Sequence, residues 1–116
     1  MGINKNLITS STSMLILKLL EGQDMYGYQM IDTLAKRSDD TFSLKAGTLY
    51  PLLHGLEEKG MLDSYEKKAD SGRLRKYYSL TKKGKKMLTE KENEWDKYVN
   101  AINLVLKGGK NYAKSC

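Results

Sequence analysis

The feature that most constrains this chain is one apolar stripe near its C-terminal end. Leu88, Glu92, Trp95, Val99, Ile102 and Leu106 follow one another at spacings of 4, 3, 4, 3 and 4 residues. This is the a/d repeat of a coiled-coil seam with a single polar position, Glu92. The helical period runs from Thr81 to about Lys107, and Gly108 and Gly109 stop it. A chain of 116 residues holds one domain and one modest core. So long a helix has nowhere inside it to bury the stripe. The simplest partner is a second copy, paired about a two-fold axis together with the first helix. The six seam residues are therefore assigned to dimerisation. The other reading is packing on the chain's own domain, which is expected of Met87 and Leu88.

Upstream, the pattern gives three short helices and a hairpin. "LITSSTSMLILKLL" (7–20) reads as a first helix closed by Gly22, and a second runs from about Met25 to Arg37, with Met30, Ile31 and Leu34 on one face. "SDDT" breaks the period. "LKAGTLYPLLHGLEEKG" (44–60) is a third helix with two unlike faces: Leu49, Leu52, Leu53 and Leu56 share one arc, while Gly47, Tyr50, Pro51, His54 and Glu58 share the opposite one. Pro51 is tolerated only near a helix start, which places that start at Ala46 or Gly47, with Ser43 or nearby backbone as the cap. Gly60 ends the helix. "MLDSYEKK" and "RKYYSLT" then alternate with period two around the turn "ADSGRL". Tyr78 and Leu80 are assigned to the core side and Tyr77 to the other. The fold class expected is mainly α with a small β-hairpin: a winged helix-turn-helix over 1–82, a dimerisation helix over 83–107 and a tail over 108–116.

Charge placement points to a partner. Between Lys67 and Lys86 stand nine basic side chains and one acid, Asp70, against eleven basic and thirteen acidic side chains in the other 96 residues. A positive field confined to one segment suits a polyanion, although a solvated lysine-rich surface gives the same composition. In the DNA-binding reading, the third helix presents base edges with Gly47 and Pro51, both small. Thr48 and Lys45 stand at its start, where the dipole favours phosphate. Tyr50 bonds a phosphate or packs on a sugar, and His54 donates to a base or phosphate. In the bland reading Tyr50 and His54 are surface residues, or Tyr50 packs on another helix. Lys67, Lys68, Arg73, Arg75 and Lys76 gather at the hairpin as a wing. Lys82, Lys83, Lys85 and Lys86 oppose the dipole at the start of the last helix, a mild cost that also favours a polyanion partner.

Other classes are poorly supported. A single histidine and a terminal cysteine, Cys116, leave no nucleophile–base pair and no metal cluster, and no glycine-rich phosphate loop is present. No enzyme, cofactor or metal is expected. The longest apolar run, "MLIL", is far short of a membrane span, so a cytoplasmic protein is expected. The competing non-enzymatic reading is a winged-helix module that contacts protein and never DNA.

"GTLYPLLHGLEEKGML" (47–62), "YGYQM" (26–30) and "SGRLRKYYSLTKKGKKML" (71–88) together resemble the PadR family of bacterial transcriptional regulators. The resemblance spans roughly residues 10 to 90. It implies a homodimeric repressor on a palindromic operator in double-stranded DNA, with the last helix and the first making the dimer. Two departures stand out. Lys45 and Ala46 replace the usual Ser-Pro before Gly-Thr, and Gly55 stands where the family usually has arginine. The short C-terminal region resembles the LmrR-like branch, whose dimer centre can hold flat hydrophobic compounds. Met14, Leu15, Glu92, Trp95 and Val99 would line such a site for a planar aromatic molecule, with the Glu92 carboxylate favouring a cation.

Overall fold

The computed structural model describes residues 5–108, with side chains from residue 11 onward. Of the expected tail over 108–116, all but Gly108 lies outside the described residues. Helix α1 (Lys5–Gly22) leads into strand β1 (Met25–Tyr26), helix α2 (Gly27–Arg37) and helix α3 (Ala46–Glu58). Strands β2 (Leu62–Lys68) and β3 (Leu74–Leu80) form the hairpin, and helix α4 (Lys82–Leu106) closes the chain.

The expected two-stranded hairpin is a three-stranded antiparallel sheet, ordered β1-β3-β2. Met25 and Tyr26, expected in the second helix, pair instead with Tyr78 and Tyr77. Met25 is buried there. The helix begins at Gly27, where only glycine is accommodated. The Tyr50 hydroxyl and ring lie so close that no Cβ fits at Gly27.

The core takes one stripe from each helix. Ile16, Leu17, Leu19 and Leu20 of α1 meet Met30 and Leu34 of α2, Leu49, Leu53 and Leu56 of α3, and Leu62 and Tyr78 of the sheet. Burying each large aliphatic side chain stabilises by roughly 1.5–3 kcal/mol. Tyr78 faces this core and Leu80 packs partly against it, as the alternation predicts.

The end of α3 is tied to the start of α4. Gly60 has φ +78. Its N–H donates to the Glu57 carbonyl at 2.9 Å, and the Met61 N–H to the Leu56 carbonyl at 2.9 Å, the Schellman pattern that satisfies the last carbonyls of a helix. The hydroxyl of Thr81 donates to the Gly60 carbonyl at 2.7 Å and accepts from the Gly84 N–H at 3.0 Å, capping α4. Gly84 lies against the Met61 carbonyl with no space for a side chain.

Leu88 requires a correction. It is fully buried within its own chain's core, so it is not a seam contact. Beyond it α4 stays beside α1 through Glu92 and Trp95, and its apolar surface is open from Tyr98 to Leu106. The radius of gyration is 17.4 Å and the extents are 64 × 34 × 21 Å, whereas a compact chain of this length would have a radius near about 13 Å. The 25-residue helix, about 37 Å long, accounts for the elongation.

Candidate nucleic-acid interface

Helix α3 starts at Ala46, with Lys45 as an extended cap residue that makes no side-chain cap bond. Ser43 is not the cap. The N–H groups of Thr48 and Leu49 both donate to the Lys45 carbonyl, at 3.0 and 2.9 Å. Ala46 and Gly47 therefore have no acceptor for their N–H groups inside the helix, and such an end favours an anion. Pro51 sits in the second turn, not the first. It removes the bond that an N–H there would make to the Gly47 carbonyl, leaving that carbonyl on the exposed side.

Gly47, Thr48, Pro51 and His54 are all exposed, while Leu49, Leu53 and Leu56 beneath them are buried. Tyr50 belongs to neither set. It is half-buried, packs against the core cluster and covers Gly27. Burial pushes its hydroxyl pKa up, with smaller contributions from Tyr28 and Tyr78. Tyr28 stands beside it, 62% exposed at the start of α2. Local pattern does not single out Tyr28. Its only sequence signal was the Tyr-Gly-Tyr spacing, which is uninterpretable until Tyr50 is seen to fill the glycine's space.

The basic residues of the hairpin divide between two faces, because side chains alternate along a strand. Ser64 and Lys76 look toward α3. The Ser64 hydroxyl donates to Glu57 at 2.6 Å, and Lys76 pairs with the same carboxylate at 3.9 Å. Lys68, at the end of β2, lines the cleft that also holds Lys67 and Arg75. Lys67 and Arg75 lie directly opposite each other in the register on the outer face, with Tyr65 opposite Tyr77. Arg73 is exposed beside Gly72, whose φ is +87. Lys82, Lys83, Lys85 and Lys86 are exposed around the start of α4.

A groove runs between α1 and α4, lined by Met14, Leu15, Lys18, Glu92, Trp95 and Asp96. It brings together four of the five residues expected there, and Val99 lies outside it. Trp95 is 43% exposed. Glu92 is not a free carboxylate, since Lys18 pairs with it at 3.3 Å and with Glu21 at 3.0 Å. The two carboxylates, Glu21 first, raise the Lys18 pKa. Beyond the groove, Tyr98, Ala101, Ile102, Val105 and Leu106 form an open apolar surface on α4.

Comparison with known proteins bears on the family and the fold. The family model described as "Transcriptional regulator PadR-like family" matches residues 16–90. A Lysinibacillus sphaericus protein, named only as uncharacterized protein X, is 31% identical over 106 residues, covering 91% of this chain and 97% of its own. The structure of a transcriptional regulator from Clostridium thermocellum superposes with a TM-score of 0.79 at 31% identity, over 87% of this chain and 95% of that one. A PadR family transcriptional regulator from Eggerthella lenta gives 0.77 at 33% identity, over 87% and 86%.

Proposed function

The chain belongs to the PadR-like family of transcriptional regulators, which bind DNA and are not enzymes, and on that premise we propose that it is a homodimeric repressor of a palindromic operator, released by a small molecule. The observation that carries this reading is the division of α3. Its leucine face is buried and its Gly47, Thr48, Pro51 and His54 face is exposed beside the basic hairpin. The exposed face enters the major groove. Lys45 and the first-turn N–H groups hold a phosphate, and His54 reaches a base edge or phosphate. Tyr50, whose hydroxyl lies against Gly27, contributes by bracing α3 against α2. Arg73 and Lys76 of the wing meet flanking phosphates, with Lys67, Lys68 and Arg75 on its far side.

The division of labour follows the fold: residues 1–82 bind DNA, and the helix over 83–107 assembles the dimer. Glu92, Trp95, Val99, Ile102 and Leu106 face the second copy, with the open surface around Tyr98 and Val105. Two copies would set two α3 helices about one DNA turn apart. At the centre, the Trp95 groove takes a planar lipophilic molecule. Because Lys18 already pairs with Glu92, the indole face and the apolar side chains of Met14 and Leu15 select the ligand more than net charge does. Ligand acts as inducer by favouring a dimer in which the two α3 helices no longer match the half-sites. Among the described residues no helix is long and apolar enough to cross a membrane, and action on DNA calls for a cytoplasmic location.

Selection of bound duplexes from a random pool, followed by a salt-dependent electrophoretic shift, tests the reading. A palindromic consensus is expected, and His54→Ala should relax preference at one position of each half-site by about 1–3 kcal/mol. Failure to retain any duplex, with a solution mass of one chain, would sink it.

A further inference from the structure

We propose that Glu57 is a positioning residue for DNA binding: its carboxylate clamps both strands of the hairpin to the end of α3 and so fixes where the wing stands relative to that helix. The inference rests on the reading in which α3 and the wing meet the same duplex, and one arm of its test is independent of DNA.

Glu57 lies in the last turn of α3, and three residues separate that helix from β2. This short link fixes where the hairpin starts, because Gly60 closes the helix and Met61 is buried. It does not fix how the outer half leans. On the face that looks toward α3, Leu62 and Tyr78 are buried, Ser64 is half-buried, and Glu66 and Lys76 are exposed. Packing therefore runs out just beyond Ser64, and the carboxylate stands at that point. Its Oε2 accepts from the Ser64 hydroxyl of β2 at 2.6 Å, and its Oε1 faces Lys76 Nζ of β3 at 3.9 Å. Lys76 Nζ also lies 5.5 Å from the centroid of the buried Tyr78 ring. One side chain of α3 holds both strands where the core ends.

The two contacts are unequal. A hydroxyl donating to a carboxylate at this distance is a strong, charge-assisted hydrogen bond. The ion pair is longer, and Lys76 and Glu57 are 47% and 34% exposed, so water weakens it. Ser64 is the main anchor. Leverage makes the anchor matter for DNA. The four residues of β2 beyond Ser64 span about 13 Å, so a tilt of about 10° there moves the tip by about 2 Å. That is enough to lose a phosphate hydrogen bond. An acid beside a DNA-binding face ordinarily repels phosphate. Plain electrostatics and the clamp therefore predict opposite effects of removing Glu57.

Titrations of the full chain with duplexes retained from a random pool, over a salt series, test the role. Ser64→Ala changes no charge, so a flatter salt slope there reports position alone. Ser64→Ala and Glu57→Ala should each weaken binding roughly tenfold, the size of one charged hydrogen bond, and flatten the slope by about 0.9. Arg73→Ala should add little in the Ser64→Ala background, because the wing contact is already lost. Glu57→Gln, which keeps an acceptor for the Ser64 hydroxyl, should recover most of what Glu57→Ala loses. A second readout needs no DNA. With Cys116→Ser removing the one native thiol, spin labels on Ser71→Cys and Glu58→Cys, diluted with unlabelled chain, measure the distance from wing tip to α3. The distribution should be narrow in the wild type and broaden in Ser64→Ala. Tighter binding by Glu57→Ala with unchanged binding by Ser64→Ala would make Glu57 a repelling charge and overturn the proposal. An unchanged distance distribution in Ser64→Ala overturns it too. So does a broadened distribution with wild-type affinity and slope, which would leave a bond that serves stability alone. A wild type that retains no duplex sinks the DNA reading and the positioning role with it, whereas failure of the Ser64→Ala arms alone leaves that reading intact.

Discussion

On α3, Leu49, Leu53 and Leu56 are 0, 0 and 5% exposed, whereas on α4, Leu104, Val105 and Leu106 are 60, 80 and 75% exposed. Both stretches are helical and rich in large aliphatic side chains. The difference is what lies opposite each. α3 packs on α2 and on β2, so its stripe is covered within the chain. α4 is held at its start by Thr81, Gly84 and Leu88, lies beside α1 through Glu92 and Trp95, and leaves the side chains of Leu104 to Leu106 exposed. An apolar face is a demand for a partner, and only the first demand is met within one chain.

The comparison can be broken by truncating one side chain in each region. Leu53→Ala leaves a cavity among closely packed neighbours and should cost about 2–5 kcal/mol, read as a lowered denaturant midpoint that is independent of protein concentration. Leu106→Ala should leave the folding of a single chain almost unchanged. A large loss of concentration-independent stability from Leu106→Ala would mean that the end of α4 does not stand clear of the body. Charges placed in the seam sharpen the contrast. Val99→Asp with Ile102→Asp should yield a folded monomer with weak operator affinity, because burying unpaired carboxylates in a dimer costs several kcal/mol. Sedimentation showing an intact dimer would refute the seam.

The helix starts differ as well, with smaller consequences. Thr81 caps α4 through its side chain, whereas Lys45 offers α3 none. Thr81→Ala should therefore destabilise by about 1 kcal/mol, and Lys45→Ser should stabilise by a similar amount. The second substitution should also weaken DNA binding, through loss of a cation at the helix start. Melting curves and shift assays on the same sample read the two effects separately. A gain in stability with unchanged affinity would remove Lys45 from the interface.

Much of the fold was legible in local pattern. The leucine arc of α3, the stop at Gly60, the alternation that buries Tyr78 and the basic character of 67–86 are properties of near neighbours. Strand β1 was not legible. Met25 and Tyr26 are too few to show a period, and they become a strand only because β3 passes beside them. Of the candidate contacts, the exposure of Gly47, Thr48, Pro51 and His54 followed from helical spacing, and Tyr50 needed the position of Gly27. The wing residues could be counted from the sequence but not divided into faces until register placed Lys67 opposite Arg75.

The sequence by itself determined which segments are helical, which face of each is apolar, and that positive charge is concentrated in one stretch, because these follow from residue type and spacing along a single element. It also determined the family, through motifs spread from "YGYQM" to "RKYYSLT". Only the tertiary structure decided that Leu88 belongs to the core and not to the seam, that Glu92 is paired with Lys18, and that Arg75 rests on Tyr26. Each of these is a contact between residues distant in the chain. Local spacing says which side a residue faces, and packing alone says what it meets there.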